Sequence, residues 1–368
     1  MMRKTRISIA LTLAGTVGVI GSTGLHADAA AAPLGWDRGK AATYLDQRAA
    51  WWQAWPKAQR DADTACISCH TMLPYALSRP LLRSSLREGS APAAETRMIA
   101  DASRRVDQWE TVQPYYPDAK FGAGKTVESR STEAVLNALV LVSEGAAPTV
   151  ATRALDIALA HQIKDGEQRG GWIWQNFHLG PWEDPEAAYL GACYMALTLG
   201  RAPAAYRAQP HVAKALAEMD AYLRRRAPDE SLFNRVHLLW ATQALPTLAP
   251  DRVLMRRTQD ELIAHQHAGG GWRLGDFHQW KRRDDSAAAT ADDAYATGLA
   301  LLALEGRNDG PAKRARAQAR TWLTAHQDAN GAWTAVSVNK QRPAEHDAAH
   351  FMDDAATAQA VIALLGQK

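Results

Sequence analysis

Three stretches of this chain repeat one grammar, and that repetition limits what it can fold into more than any other feature. They read "LAHQIKDGEQRGGWIWQNFHLGPWEDPEAAYLGACYMALTLG" (159–200), "IAHQHAGGGWRLGDFHQWKRRDDSAAATADDAYATGLALLALEG" (263–306) and "TAHQDANGAWTAV" (324–336) followed by "FMDDAATAQAVIALLG" (351–366). Each runs from a helix end through His-Gln, a glycine-rich turn, a Trp, an irregular stretch and acidic residues into an Ala/Leu-rich helix. A fourth, weaker copy, "VESRSTEAVLNALVLVSEG" (127–145), keeps the acidic start and the helix but lacks the turn. The stretches between them, such as "HVAKALAEMDAYLRRR" and "DRVLMRRTQDELIAHQ", carry apolar residues at three- and four-residue spacing, and strand-like alternation is nearly absent. A helical hairpin cannot bury both of its faces alone, whereas neighbours stacked in an array bury them mutually.

The turns from Gln266 to Trp272 and from Gln327 to Trp333, with a lengthened one from Gln162 to Trp172, resemble the QW motif of the squalene-hopene cyclase and protein prenyltransferase superfamily. The resemblance covers roughly residue 127 to the C-terminus. It implies an all-α fold, an α/α toroid of helical hairpins whose inner helices line a central cavity. Gln can bond free backbone groups at a helix end while Trp covers the turn, so Trp272 and Trp333 are expected to be structural.

The same resemblance directs attention to the acids of "TADD" (290–293) and "FMDD" (351–354). A cyclase of this kind protonates an alkene from an Asp-x-Asp-Asp motif. Thr290 and Phe351 replace the first Asp, which leaves Asp292 and Asp353 as candidate catalytic acids. Helix capping is the competing role for both. The prenyltransferase zinc triad is not matched, because Gly191 stands where an Asp near Cys193 is expected.

At the N-terminus Arg3, Lys4 and Arg6 precede a short apolar run from Ile7 to Ile20, and "ADA" ends at Ala29. This pattern predicts a signal peptide over 1–29 and a periplasmic protein. The apolar run falls short of the ~20 residues of a spanning helix, so no membrane span is expected after cleavage. A net charge of only +3 gives no footprint for a nucleic-acid partner. Three cysteines are too few to form a disulfide framework in 368 residues.

Two of those cysteines lie in "CISCH", inside a segment (30–126) that precedes the toroid (127–368). In an exported chain, Cys66 and Cys69 are spaced to bond the two vinyl groups of one haem, with His70 as the proximal iron ligand. The spacing thus predicts a single covalent haem c. A redox disulfide wants a βαβ context and a zinc site wants two more ligands, neither of which is evident. Cys193, in an apolar helix, reads as a buried inert thiol. The distal ligand is open among Met98, His178, His278 and His350, with a five-coordinate iron as a further alternative. A helix over 41–59 brings Trp51, Trp52 and Trp55 toward the porphyrin or the toroid.

Taken together these features predict a periplasmic haem protein that transfers electrons or oxidises a substrate, served by a periplasmic redox partner, with a cavity for an apolar or polyprenyl-like ligand. The alternatives are a terpenoid cyclase using Asp353 or Asp292 and a non-catalytic binding scaffold.

Overall fold

The structure is a computed structural model that describes residues 35–366. Its helices are α1 (Arg38–Ala54), α2 (Met72–Leu86), α3 (Ala93–Asp107), α4 (Asp118–Phe121), α5 (Lys125–Ser143), α6 (Pro148–Ala160), α7 (Ala187–Arg201), α8 (Ala204–Arg207), α9 (Pro210–Arg226), α10 (Leu232–Ala244), α11 (Arg252–Ala264), α12 (Ala294–Ala303), α13 (Gly310–Ala325) and α14 (Phe351–Leu365). A two-residue antiparallel ladder joins β1 (Gln59–Arg60) to β2 (Thr64–Ala65). Helices α2, α5, α7, α10, α12 and α14 each pack on the next, and α14 returns to α2, which closes a ring. Helices α1, α3, α6, α9, α11 and α13 pack outside it. The fold is the expected α/α toroid.

Composition explains which helices are inside. Every residue of α12 is buried, as is nearly every residue of α7 and α14 after their first turn. Helices buried all round must approach one another closely, and small residues allow it. A Cβ on Gly298 of α12 would stand 2.9 Å from the Gln359 carbonyl of α14, and one on Gly200 of α7 would stand 2.3 Å from the Ala244 carbonyl of α10. An outer helix such as α9 buries only a stripe, Val212, Ala215, Met219, Tyr222 and Leu223.

The repeated turns act as rivets. Gln162, Gln266 and Gln327 each donate from Nε2 to the carbonyl of a turn glycine, Gly170, Gly270 or Gly331, and to a second carbonyl on the neighbouring outer element. That second acceptor is Ala215 of α9, Ala315 of α13 or Asp37, the N-cap of α1. Each turn's Trp indole N–H donates to the helix before it: Trp172 to Ala158, Trp272 to Leu262 and Trp333 to Leu323. The three glycines have φ of +92°, +92° and +94°, and a Cβ there would lie within 3 Å of Glu218, Gln318 or Lys40 backbone. Both facts require glycine. Helix α1, first in sequence, therefore serves the last turn as α9 and α13 serve the earlier ones.

This geometry corrects the alignment of the acids. Thr297 Oγ1 accepts the Trp272 N–H at 3.0 Å while Asp293 accepts the Leu274 N–H at 2.8 Å. In the last repeat Thr357 accepts from Trp333 at 2.9 Å and Asp353 accepts from Ala335 at 3.0 Å. In the copy without the turn, Thr132 and Glu128 accept from Gln175 and Asn176. Asp353 thus matches Asp293, one residue away from the pairing with Asp292 that "TADD" and "FMDD" suggest.

Asp354 is then an extra acid, and it fastens the ring. Its buried carboxylate accepts from Tyr44 Oη at 3.0 Å, Arg48 Nε at 2.7 Å, Arg48 Nη2 at 3.1 Å and Thr71 Oγ1 at 2.7 Å. The residues before 127 supply α1, α2 and α3 of the toroid, and residue 127 itself lies within α5. The signal-peptide segment lies outside the described residues. Among the described residues no helix is long and apolar enough to cross a membrane.

Candidate functional site

A cavity of about 590 Å³ opens at the end of the ring where α14 begins. Its walls are aromatic. Trp52 and Trp55 from α1, Trp182 from the loop before α7, Tyr116, and Phe351 from the start of α14 all face it. Hydrogen bonds set the angle of two of these rings: Trp52 Nε1 donates to the Cys66 carbonyl at 2.8 Å, and Trp182 Nε1 donates to Tyr295 Oη at 3.0 Å. Phe351 packs edge-on against Trp52 and Trp55, with centroids 5.7 and 6.1 Å apart.

Glu183 is the one carboxyl among the described residues that line this space. It is held by a tight hairpin in which Leu179 and Glu183 exchange both backbone hydrogen bonds at 2.9 Å, and Phe177 N–H also donates to the Glu183 carbonyl at 2.9 Å. Burial pushes the Glu183 carboxyl up to about 7, against the opposing pull of Lys125 and Arg60. Lys57, Arg60, Lys120 and Arg342 line the same cavity, so four cationic side chains share it with one acid. Arg60 is braced over the Tyr116 ring at 4.9 Å. A proton donor, flat apolar faces and fixed positive charge thus share one chamber.

The acids expected from sequence do not join it. Asp353 spends one oxygen on the Ala335 N–H and contacts His350 Nδ1 through the other at 3.1 Å. Asp292 is bonded to His267 Nδ1 and lines a separate recess of about 190 Å³ beside Asp293. Trp272 and Trp333 are fully buried in their turns, the structural role expected of them. Glu183 was not singled out by sequence reasoning. Its only signal is an acid beside Trp182 in an irregular stretch, and "WEDPE" offers Asp184 and Glu186 equally.

The expectation of a haem is overturned. Two thioether bonds to one macrocycle edge require both thiols to front the same space, with the iron ligand beside them. Cys69 and His70 also face the cavity, but the one space that they share with Cys66 is a narrow pocket of about 30 Å³, far too small for a macrocycle. Burial pushes the Cys66 thiol up to about 11 and Cys69 well above its ordinary value, so neither is a ready nucleophile. The His70 ring is stacked on Phe351, centroids 3.7 Å apart, and Trp52 meets it edge-on at 5.0 Å. Burial also pushes His70 down to about 3. None of the expected distal ligands lines this cavity. Met98 is buried in α3, His178 and His278 line a neighbouring groove, and His350 is bonded to Asp353. Among the described residues no group of three or more His, Cys, Asp or Glu stands where it could hold a metal ion.

Comparison with known proteins bears on the fold. No family model matches the sequence, and no curated protein matches it. Among solved structures the chain is similar to one described as UGL with dGlcA-Glc-Rha-Glc, at 13% identity over 89% of this chain and 94% of that one, with a TM-score of 0.51. It is also similar to an unsaturated glucuronyl hydrolase, responsible for the degradation of glycosaminoglycan, from Bacillus sp. GL1, at 13% identity over 89% of this chain and 96% of that one, with a TM-score of 0.48. At this identity the likeness establishes the toroid. The expectation of electron transfer through a haem cofactor is withdrawn on the geometry at Cys66, Cys69 and His70, and that of terpenoid cyclisation because neither Asp353 nor Asp292 reaches the cavity.

Proposed function

We propose that the cavity is the active site of a hydrolase acting on an anionic sugar, with Glu183 as its proton donor. The observation that carries this is a single carboxyl, pushed up to about 7 by burial, within an aromatic chamber bearing four cations. Sugar C–H faces stack on flat rings such as Trp52 and Trp182. The carboxylate of a uronic acid pairs with Arg60 or Arg342, whose planar forks match it, while Lys57 and Lys120 add positive field.

Hydrolysis of an ordinary glycoside calls for two carboxyl groups, one acid and one base or nucleophile. A single acid suits a reaction that begins by protonation. An unsaturated uronyl residue has a ring double bond beside its ring oxygen. Glu183 gives its proton to the alkene carbon away from the ring oxygen, the ring oxygen stabilises the resulting cation, and water adds to it, its released proton returning to the Glu183 carboxylate. The hemiketal so formed opens to a ketone and leaves a hemiacetal at the anomeric carbon, which expels the next sugar as its alcohol. The dGlcA-Glc-Rha-Glc of the similar structure supports a substrate of this kind. The Gln-to-Trp turns support kinship with QW-type toroids at the level of fold only. The basic and apolar N-terminal stretch supports export, so the substrate would be met in the periplasm.

The test is turnover of an unsaturated uronyl oligosaccharide, followed by loss of the double bond's ultraviolet absorbance. Glu183→Gln should lower kcat by about 10²–10⁴-fold with little change in affinity. Full activity in that variant, or none in the native protein across uronyl substrates, removes the assignment.

A further inference from the structure

The chamber at Glu183 does not end at the hairpin that carries it. Beyond Gly180 a second groove of about 600 Å³ opens, lined among others by His178, Asp184, Glu186, His278, Trp280 and Lys281, and Gly180 and Asn339 border both spaces. The saddle between them is firmly built. The Trp280 ring packs directly on Gly180, where a Cβ would lie 2.2 Å from its Cδ1. Asn339 Nδ2 donates to the Gly180 carbonyl at 2.6 Å, and the Arg283 N–H donates to the Asn339 carbonyl at 2.7 Å. Arg283 Nη2 reaches the carbonyls of Phe177 and, at 2.9 Å, His178. Trp280 Nε1 donates to Asp184 Oδ2 at 2.7 Å, which fixes the indole at the groove while it remains half-buried.

The two spaces differ in charge. The chamber sets four cations against one carboxyl. In the groove Lys281, Arg282 and Arg283 face Asp184, Glu186 and Asp285, so opposite charges balance, and Arg282 is already held by Ser286 Oγ and the Ser337 carbonyl. A chain with a charge at its end and none in the following units matches that sequence of environments.

We infer that the substrate is an extended oligosaccharide whose anionic terminal residue enters the Glu183 chamber and whose following uncharged sugars cross the Gly180 saddle to stack on Trp280. This rests on the reading of the chamber as a sugar site, and it assigns the specificity for chain length to a different residue. Gly180 is required because any side chain there would strike the Trp280 ring and close the passage.

Isothermal titration of native protein and of Glu183→Gln, with a disaccharide and a tetrasaccharide that share the unsaturated uronyl end and continue in neutral sugars, tests it. The tetrasaccharide should bind about tenfold tighter, the worth of one stacked ring. Trp280→Ala should bring the ratio of the two affinities to about one, and Trp280→Phe should keep part of it, with circular dichroism checking that each variant folds. Equal affinities in the native protein, or an unchanged ratio in a folded Trp280→Ala, overturn the inference. A Trp280→Ala chain that fails to fold leaves the native ratio and the Phe variant to decide. If Glu183→Gln still turns the substrate over while the ratio persists, the groove stands and the assignment of the acid falls. Binding of neither ligand overturns both.

Discussion

Asp354→Ala should be the most destabilising single change in the acids that begin α14. Its carboxylate accepts from Tyr44, Thr71 and, with both oxygens, Arg48, so one buried group ties the last inner helix to α1 and to the start of α2. The Arg48 side chain is only 14% exposed, and its remaining support is the face of Trp51 at 4.3 Å. Removing the carboxylate leaves a largely buried guanidinium without a counter-charge, a loss of about 3–5 kcal/mol. Asp353→Ala, one residue earlier, removes a backbone acceptor and a half-exposed histidine contact, worth about 1 kcal/mol. Urea unfolding followed by far-ultraviolet circular dichroism should therefore show a midpoint shift on the order of 1 M for Asp354→Ala and a much smaller one for Asp353→Ala. The double variant with Arg48→Met should recover part of the loss, because no unpaired charge then remains. Equal shifts for the two Asp variants, or no coupling in the cycle, would show that the ring is not closed through this network.

Three further outcomes follow from the structure. Gly331→Ala should destabilise the fold by about 1–3 kcal/mol or more, since the turn needs φ of +94° and a Cβ would lie 2.4 Å from the Lys40 backbone; an unchanged denaturation midpoint contradicts the docking of this turn on α1. Burial and the adjacent Glu95 push the Glu144 carboxyl up to about 9, so the folded protein prefers it protonated. Its stabilising effect is present at low pH and is lost as pH rises through about 9. Thermal stability should accordingly fall over that range in the native protein and stay flatter in Glu144→Gln, with pH-resolved melting curves as the check. Shortening the sugar chain should matter only through Trp280, as the titration of di- and tetrasaccharide measures.

Local features were legible in the sequence and distant ones were not. A turn whose Gln, Gly and Trp lie within seven residues, as from Gln266 to Trp272, meets its own helix end, so its spacing carries the geometry. Ring closure depends on Gln327 finding Asp37 and on Asp354 finding Tyr44, contacts 290 and 310 residues apart that leave no local pattern. The paired acids misled by one residue because capping and riveting both favour Asp. Only the Thr four positions on, Thr297 or Thr357, fixes the register. The cysteine motif was overread for a related reason. Its spacing states which residues are near one another, but whether a macrocycle has room beside both sulphurs depends on the Trp52, Tyr115 and Tyr116 packing around Cys66. Glu183 stayed hidden among three nearby acids because the cavity that it lines is completed by rings contributed from α1 and α14, distant in sequence.

The central claim is that Glu183 acts as a proton donor, and the pH dependence of kcat tests it most directly. A carboxyl raised to about 7 keeps its proton through mildly acidic pH, so activity on an unsaturated uronyl oligosaccharide should be full below neutrality and fall as pH rises past about 7. Glu183→Gln should abolish both the activity and that limb. A profile that rises through neutrality, or one that Glu183→Gln leaves in place, would contradict the account.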